Sequence, residues 1–363
     1  MHLLIDISHH GFGHIGQTAP VIERLSQLLP ELTLTLRTTV PRGHLASRLS
    51  TSFTYVAKAT DVGMVMDSLC QVDRGATADA YAGFHLGWAE KVENCARETE
   101  ALAPDLVISN ASYLALAGAA RAGIPCVGYG SLNWADIYRV YCLHDQTAPA
   151  ILDQMMAAYS CASTFLKLEP HLPMTWLADA QRIGPVAQTG KKRRTEILTQ
   201  LGLSRSTRLV LAAFGGMPLP VDCTSWAPLP DCHFLVPADW RSSGNGFTPI
   251  DRLDLPFEDL LRSCDVVISK PGYGIVVEAA CNGKPLIYVP RLDWPEEEIF
   301  VDWLGRHGIV RAITADQLIK GELATTLDDV LSAPLPPILQ STGIDEAAQI
   351  LCRRLAALVP VYG

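Results

Sequence analysis

Twice in this chain a short apolar run breaks into a glycine-rich turn and then opens a helical pattern. Leu3–Ile7 leads into Ser8-His9-His10-Gly11-Phe12-Gly13-His14, and Val266–Ser269 leads into Lys270-Pro271-Gly272-Tyr273-Gly274. A strand that passes into a helix through such a turn is the repeating unit of a parallel sheet. The helix end so created presents N–H groups without intrahelical partners and a positive dipole end. Neighbouring segments keep the same rhythm. Ile22, Leu25, Leu28 and Leu29 mark one face of a helix from about Gly16 to Leu29, and Leu32–Arg37 reads as the next strand. Leu106–Ser109 is a strand closing at Asn110, Leu114–Ala122 a helix stopped by Gly123, and Cys126–Tyr129 a strand. Leu209–Ala213, His233–Val236 and Leu286–Val289 continue the series. The pattern predicts the α/β class, with two doubly wound parallel sheets of Rossmann-like type.

At 363 residues the chain is too long for one core and suits two domains. Residues 1–167 form the expected first domain and 191–345 the second. Between them 168–190 reads as a linker, because Pro170, Pro173, Gly184, Pro185 and Gly190 interrupt the rhythm before Lys191-Lys192-Arg193-Arg194. A last helix in 346–363 is expected to pack back on the first domain. From Ser50 to Ala82 no periodicity emerges, although Asp61, Asp67, Asp73 and Asp79 recur every six residues. A loop or short helices near a cleft fits this stretch, and so does a solvated surface.

A net charge of −9 and an isoelectric point near 5.6 argue against a nucleic-acid partner, which usually meets a basic face. They leave room for a small anion held by backbone amides. Met1–Asp6 shows neither a basic start nor a long apolar run, and no stretch approaches a membrane span, so neither a signal peptide nor membrane association is expected. Ten scattered cysteines without a CxxC pair read as buried thiols in a reducing cytoplasm, not as disulfides or a zinc site.

The first turn puts His14 at a helix start, where a histidine is a candidate general base for an acceptor hydroxyl at neutral pH. An ordinary strand–helix turn with a capping histidine has the same sequence. Gly11, Gly13 and Gly16 satisfy G-x-G-x-x-G literally, but the second strand ends in Arg37-Thr38-Thr39 and brings no acid for a dinucleotide ribose. In the second turn, amides of Gly272 to Gly274 are placed to cradle a diphosphate. Glu278 lies one helical turn on, between Val276-Val277 and Ala279-Ala280, and is placed to accept two ribose hydroxyls. Phe214-Gly215-Gly216-Met217-Pro218 adds a third set of amides. Around Glu297, the run Arg291–Glu298 is either a set of carboxylates for sugar hydroxyls or a solvated helix start rich in Glu.

These residues resemble a known family. CDVVISKPGYGIVVEAACNGKPLIYVP (Cys264–Pro290) is similar to the donor-binding segment of GT-B glycosyltransferases of the MurG type, and GFGH (Gly11–His14) to their N-terminal acceptor-side loop. PDLVISN (Pro104–Asn110), AGIPCVGYGSLNWADIY (Ala122–Tyr138) and SKPGYG (Ser269–Gly274) resemble the glycosyltransferase-like N-terminal half of plant L-arabinokinase. The resemblance covers nearly the whole chain. No glycine loop of the sugar-kinase kind occurs, so kinase activity is not implied. What is implied is a GT-B fold with two domains facing across a cleft, and transfer of a sugar from a nucleotide-diphosphate donor, usually UDP-linked, to an acceptor hydroxyl. Neither a metal nor a further cofactor is implied. His14 would serve the acceptor; Gly13, Gly215, Gly216, Lys270, Gly272, Tyr273, Gly274, Glu278 and Glu297 would serve the donor. Met217-Pro218 stand where the MurG type has Ser-Gln, and Gln17 where the arabinokinase pattern has a basic residue. A nucleotide-sugar hydrolase or epimerase on the same frame, or an inactive sugar-nucleotide-binding module, remain alternatives.

Overall fold

The computed structural model describes the chain except residues 69–70, 145, 216–218, 230, 243–245, 292 and 359–363. Two compact units emerge. Met1–Ser68, Val72–Val186 and Thr342–Gly363 make the first; Leu69–Gln71 and Ala187–Ser341 make the second.

The first unit is built on β1 (His2–Ile7), β2 (Thr33–Arg37) and β3 (Thr54–Val56), with β4 (Met66–Ser68) and β5 (Gln71–Val72) paired apart from the main sheet. The main sheet continues with β6 (Leu106–Asn110), β7 (Cys126–Gly130), β8 (Phe165–Leu168) and β9 (Ala180–Ile183). Its order is β3-β2-β1-β6-β7-β8-β9, and every pairing is parallel. Covered on both faces, β6 and β7 are buried along their whole length, which is why they read as unbroken apolar runs. In the stretch 168–190, expected as a linker, Pro170 and Pro173 lie between β8 and edge strand β9, Gly184 and Pro185 follow β9, and the first unit extends to Val186. The C-terminal helix Gly343–Leu358 also belongs to the first unit and packs along helix Gly13–Leu28, with Arg24 Nε 2.6 Å from Asp345 Oδ1.

The second unit holds β10 (Arg208–Ala212), β11 (Cys232–Val236), β12 (Phe247–Pro249), β13 (Val266–Ser269), β14 (Leu286–Tyr288) and β15 (Val310–Ala312). They form a parallel sheet in the order β12-β11-β10-β13-β14-β15. Trp226 anchors its core against Phe234, Phe247 and Trp240. Gly321, at φ +71°, lies so near that ring that a Cβ would stand 2.5 Å from it, so only glycine fits.

Each sheet reverses its direction of winding once, between β1 and β6 in the first and between β10 and β13 in the second. Loops leaving such a pair diverge, and the crevice at their carboxyl ends is where open α/β sheets bind ligands.

Candidate functional site

In the first unit the reversal point is occupied by the His14 turn. The turn leaves β1, passes Gly11 at φ +72°, and enters helix Gly13–Leu28, which has no side-chain N-cap and no acid in its first turn. Ser8 N–H donates to the Asn110 carbonyl at the end of β6 (3.1 Å), tying the two strand ends together. His14 is 6% exposed and its Nδ1 lies 2.6 Å from Asn110 Oδ1.

The surrounding bonds decide the tautomer. Thr18 Oγ1 donates its proton to the His14 carbonyl (2.7 Å), so toward Asn110 it can only accept. Asn110 Nδ2 therefore faces Thr18 (3.1 Å) and Gln17 Oε1 (3.1 Å), and Gln17 is fixed in turn by Nε2 donating to Ser131 Oγ (2.9 Å). That leaves Asn110 Oδ1 toward His14, whose Nδ1 must carry the proton. Nε2 keeps its lone pair. Burial lowers the His14 pKa below the ordinary imidazole value, and this outweighs the Asn110 bond and the field of Asp61. A neutral imidazole with one committed and one open nitrogen is the form that accepts a proton.

Sequence reasoning missed the partners of this histidine. Asp61, which the six-residue spacing left open between cleft and surface, is buried. Its Oδ2 accepts from Ser112 Oγ (3.0 Å) and Trp134 Nε1 (2.9 Å), and its Oδ1 lies 3.3 Å from His9 Nδ1. Burial pushes the Asp61 pKa upward, but the polar groups of His9 and Ser8 beside it outweigh this and hold the carboxyl below its ordinary range. The same approach of Asp61 raises His9, outweighing the effect of burial. The Trp134 ring stands 5.7 Å from that of His14 and 5.1 Å from that of His10. The spacing of the other aspartates is coincidental: Asp73 caps helix Arg74–His85, and Asp67 and Asp79 are exposed. The usable signals were the polar end of an apolar strand at Asn110 and the buried-type neighbours of Trp134.

In the second unit the reversal point gathers the other predicted turns. Ala213 N–H donates to the Ile268 carbonyl (2.9 Å) and Ser269 Oγ donates to the Ala213 carbonyl, so the turns after β10 and β13 lie side by side. Gly215 has φ +69°; Gly216, Met217 and Pro218 fall outside the described residues. Helix Tyr273–Asn282 starts at Gly272 without a side-chain cap or an acid in its first turn. A Cβ built at Gly215, Gly272 or Gly274 meets nothing within 4 Å. Lys270 is half-buried beside them. Tyr273 turns its ring inward onto Phe300, 6.0 Å between centroids, so what it offers a ligand is its amide. That contact sets the start of this helix beside the start of helix Glu297–His307. Glu297 is half-buried, not a freely solvated helix start. Its Oε2 accepts the Arg291 N–H (2.6 Å), and burial raises its pKa. Glu278 lies half-buried in the next turn.

Comparison with solved structures places this architecture. The glycosyltransferase of kitacinnamycin matches with a TM-score of 0.65 at 16% identity, over 98% of this chain and 95% of that one. CalG4, the calicheamicin glycosyltransferase, matches with 0.65 at 16% identity, over 99% of both chains. The chain has the GT-B fold. A third GT-B match is Arabidopsis thaliana UGT89C1 complexed with UDP-L-rhamnose, with a TM-score of 0.60 at 15% identity over 98% of each chain. No protein-family model matches. L-arabinokinase of Arabidopsis thaliana is 26% identical over 314 residues, which is 81% of this chain but 28% of that protein's length. No helix among the described residues is long and apolar enough to cross a membrane.

Proposed function

We propose that the chain is a glycosyltransferase that moves a sugar from a UDP-sugar to a hydroxyl of a small-molecule or glycan acceptor. The observation that carries this reading is the state of His14: neutral, protonated on Nδ1 by the Asn110 lock, and open on Nε2. As the acceptor oxygen bonds to the anomeric carbon, its proton passes to Nε2 and the carbon–oxygen bond to the diphosphate breaks. The leaving diphosphate gains charge. Amides of Gly272, Tyr273 and Gly274 and the helix end behind them meet that charge, with Gly215 adding to the cradle and Lys270 beside it. Glu278 holds the ribose and Glu297 the sugar hydroxyls. Fixed amides doing this work make a metal ion unnecessary. UGT89C1, a structural neighbour, is complexed with UDP-L-rhamnose, which supports a UDP-linked donor.

The test is a thermal-shift panel of UDP, GDP, TDP, CMP and ADP, followed by transfer assays with UDP-sugars and mixed acceptors. A nucleotide at 100 times its dissociation constant stabilises by about 2.7 kcal/mol. UDP is expected to raise the midpoint, and Glu278→Ala to abolish the rise. No rise with any nucleotide overturns the donor assignment. Stoichiometric free sugar without added acceptor makes the enzyme a hydrolase.

A further inference from the structure

The proposed transfer engages His14 and leaves His9 and Asp61 without a task, although both belong to the same turn. Their burial is asymmetric. The Asp61 side chain is 1% exposed and that of His9 is 36% exposed. The carboxylate is enclosed by Ser112 and Trp134, and the imidazole covers it. The outward member of this pair is the imidazole, its Nδ1 facing Asp61 at 3.3 Å, and the protonated form that Asp61 favours has Nε2–H as its second donor.

Among the described residues, the titratable group that acts on His9 is Asp61, while His9 itself adds to the lowering of His14. Behind Asp61, burial holds the hydroxyls of Tyr113 and Tyr159 far above their ordinary pKa, so they stay neutral. His10 is engaged elsewhere, its Nδ1 accepting the Met64 N–H at 3.3 Å. Asp61 is also held firmly. The preceding residue, Thr60, donates to Asp6 Oδ1 (2.9 Å), and Asp6 is locked by Arg37 through Nε at 2.7 Å and the second terminal nitrogen at 2.9 Å. The segment that carries Asp61 is thereby fixed to the sheet.

We propose that His9 is a recognition residue for the acceptor, that it presents a charge-assisted N–H to an anionic oxygen which the acceptor carries near its reacting hydroxyl, and that Asp61 is the positioning residue behind it. The chemistry is that of a carboxylate or a phosphate on the acceptor, which an imidazolium N–H binds with a short, strong bond. This rests on the transferase reading insofar as the anion belongs to an acceptor whose hydroxyl meets His14. One turn thus holds two imidazoles in opposite states, one to take a proton and one to keep it.

The experiment is histidine-imidazole NMR on the full chain, with His9→Gln, Asp61→Asn and His14→Ala supplying assignments, and with inorganic phosphate and acetate as separate probes. His9 is expected to titrate above the ordinary imidazole range. Its resonance, identified by its disappearance in His9→Gln, should move on adding one or both probes, and the movement should be lost in Asp61→Asn. A response to phosphate alone assigns a phosphorylated acceptor, and a response to acetate adds carboxylates. A His9 that titrates at or below the ordinary value beside intact Asp61, or that ignores both anions, overturns the proposal. If Asp61→Asn fails to fold, the test stays decisive on the wild-type chain, where His9→Gln fixes the assignment and both the titration and the probe response are read. No turnover is read, so failure here is distinct from failure of the transferase reading, which the UDP panel decides.

Discussion

Asn110→Ala tests the reasoning about His14 most directly, because stability and catalysis are expected to respond through the same atoms. Asn110 is fully buried and makes side-chain hydrogen bonds to His14, Gln17 and Thr18. At about 1 kcal/mol net for each, their loss removes about 3 kcal/mol from the first unit. For a unit of this size that lowers the melting midpoint by about 6–12 °C. The catalytic consequence is separate. Without Oδ1 to accept, nothing selects the Nδ1–H tautomer, and turnover should fall toward that of His14→Ala, about 10²–10⁴-fold below wild type. The assay is kcat with a saturating UDP-sugar, measured well below the variant's midpoint so that unfolding does not contribute. His14→Ala and Asn110→Ala combined should cost little more than the larger single effect, since both remove one device. Full turnover in a destabilised Asn110→Ala protein would falsify the tautomer argument, and so would multiplicative losses in the double variant.

Other expected outcomes follow from the same geometry. Because burial lowers the His14 pKa, its contribution to stability is present above the ordinary imidazole value of 6.5 and is lost as pH falls below it; His9, raised, contributes in the opposite sense and is lost as pH rises. The acid limb of kcat/KM should accordingly lie below the ordinary imidazole range, and Asn110→Asp should move it upward, as pH-rate profiles of both proteins will reveal. Gly274→Ala meets no neighbour within 4 Å and should melt near wild type while losing the UDP-induced shift. Gly128→Ala would put a Cβ 2.2 Å from the Phe165 ring and should be destabilised by about 1–3 kcal/mol in the same thermal assay. Arg37→Met leaves the Asp6 carboxylate buried without its partner and should cost about 3–5 kcal/mol in denaturant unfolding.

The fold was legible where strands are central. β1, β6, β7, β10, β11 and β13 are buried on both faces, so their apolar runs stand out and the glycine turns that follow them can be located. The three-residue edge strands β3, β12 and β15, and β9 beyond the prolines, were not legible, because a short strand paired on one side needs no continuous apolar run. The apolar periodicity of the first helix begins only at about Gly16 although the helix starts at Gly13, since the glycines of the first turn carry no hydrophobic signal. His14, Gly272, Gly274 and Glu278 were readable because a strand–turn–helix handover assigns their places locally. Asn110 and Asp61 were not. Their importance comes from contacts 96 residues apart for His14 and Asn110, and 73 apart for Asp61 and Trp134, which no local pattern encodes.

The two reversal points show how one piece of geometry is put to different chemical use. Each joins two neighbouring strand ends by a backbone hydrogen bond, Ser8 to Asn110 in one sheet and Ala213 to Ile268 in the other, and each opens a helix with no acid in its first turn. An acid there would repel an anion and compete for the amides, so its absence keeps both helix ends receptive. The difference lies in what surrounds them. The second turn carries glycines with open space where a side chain would stand, which suits phosphate oxygens approaching the backbone. The first is backed by Asn110, Gln17, Thr18 and Ser131, linked to one another and to His14 by side-chain hydrogen bonds, and such a network is rigid enough to hold one ring in one tautomer. Asn110 is neutral, and that is what allows burial to keep His14 neutral; a carboxylate in its place would favour the imidazolium and remove the base before the acceptor arrived. The carboxylate this turn does possess, Asp61, faces His9 instead, so its charge stabilises the imidazole that is to stay protonated.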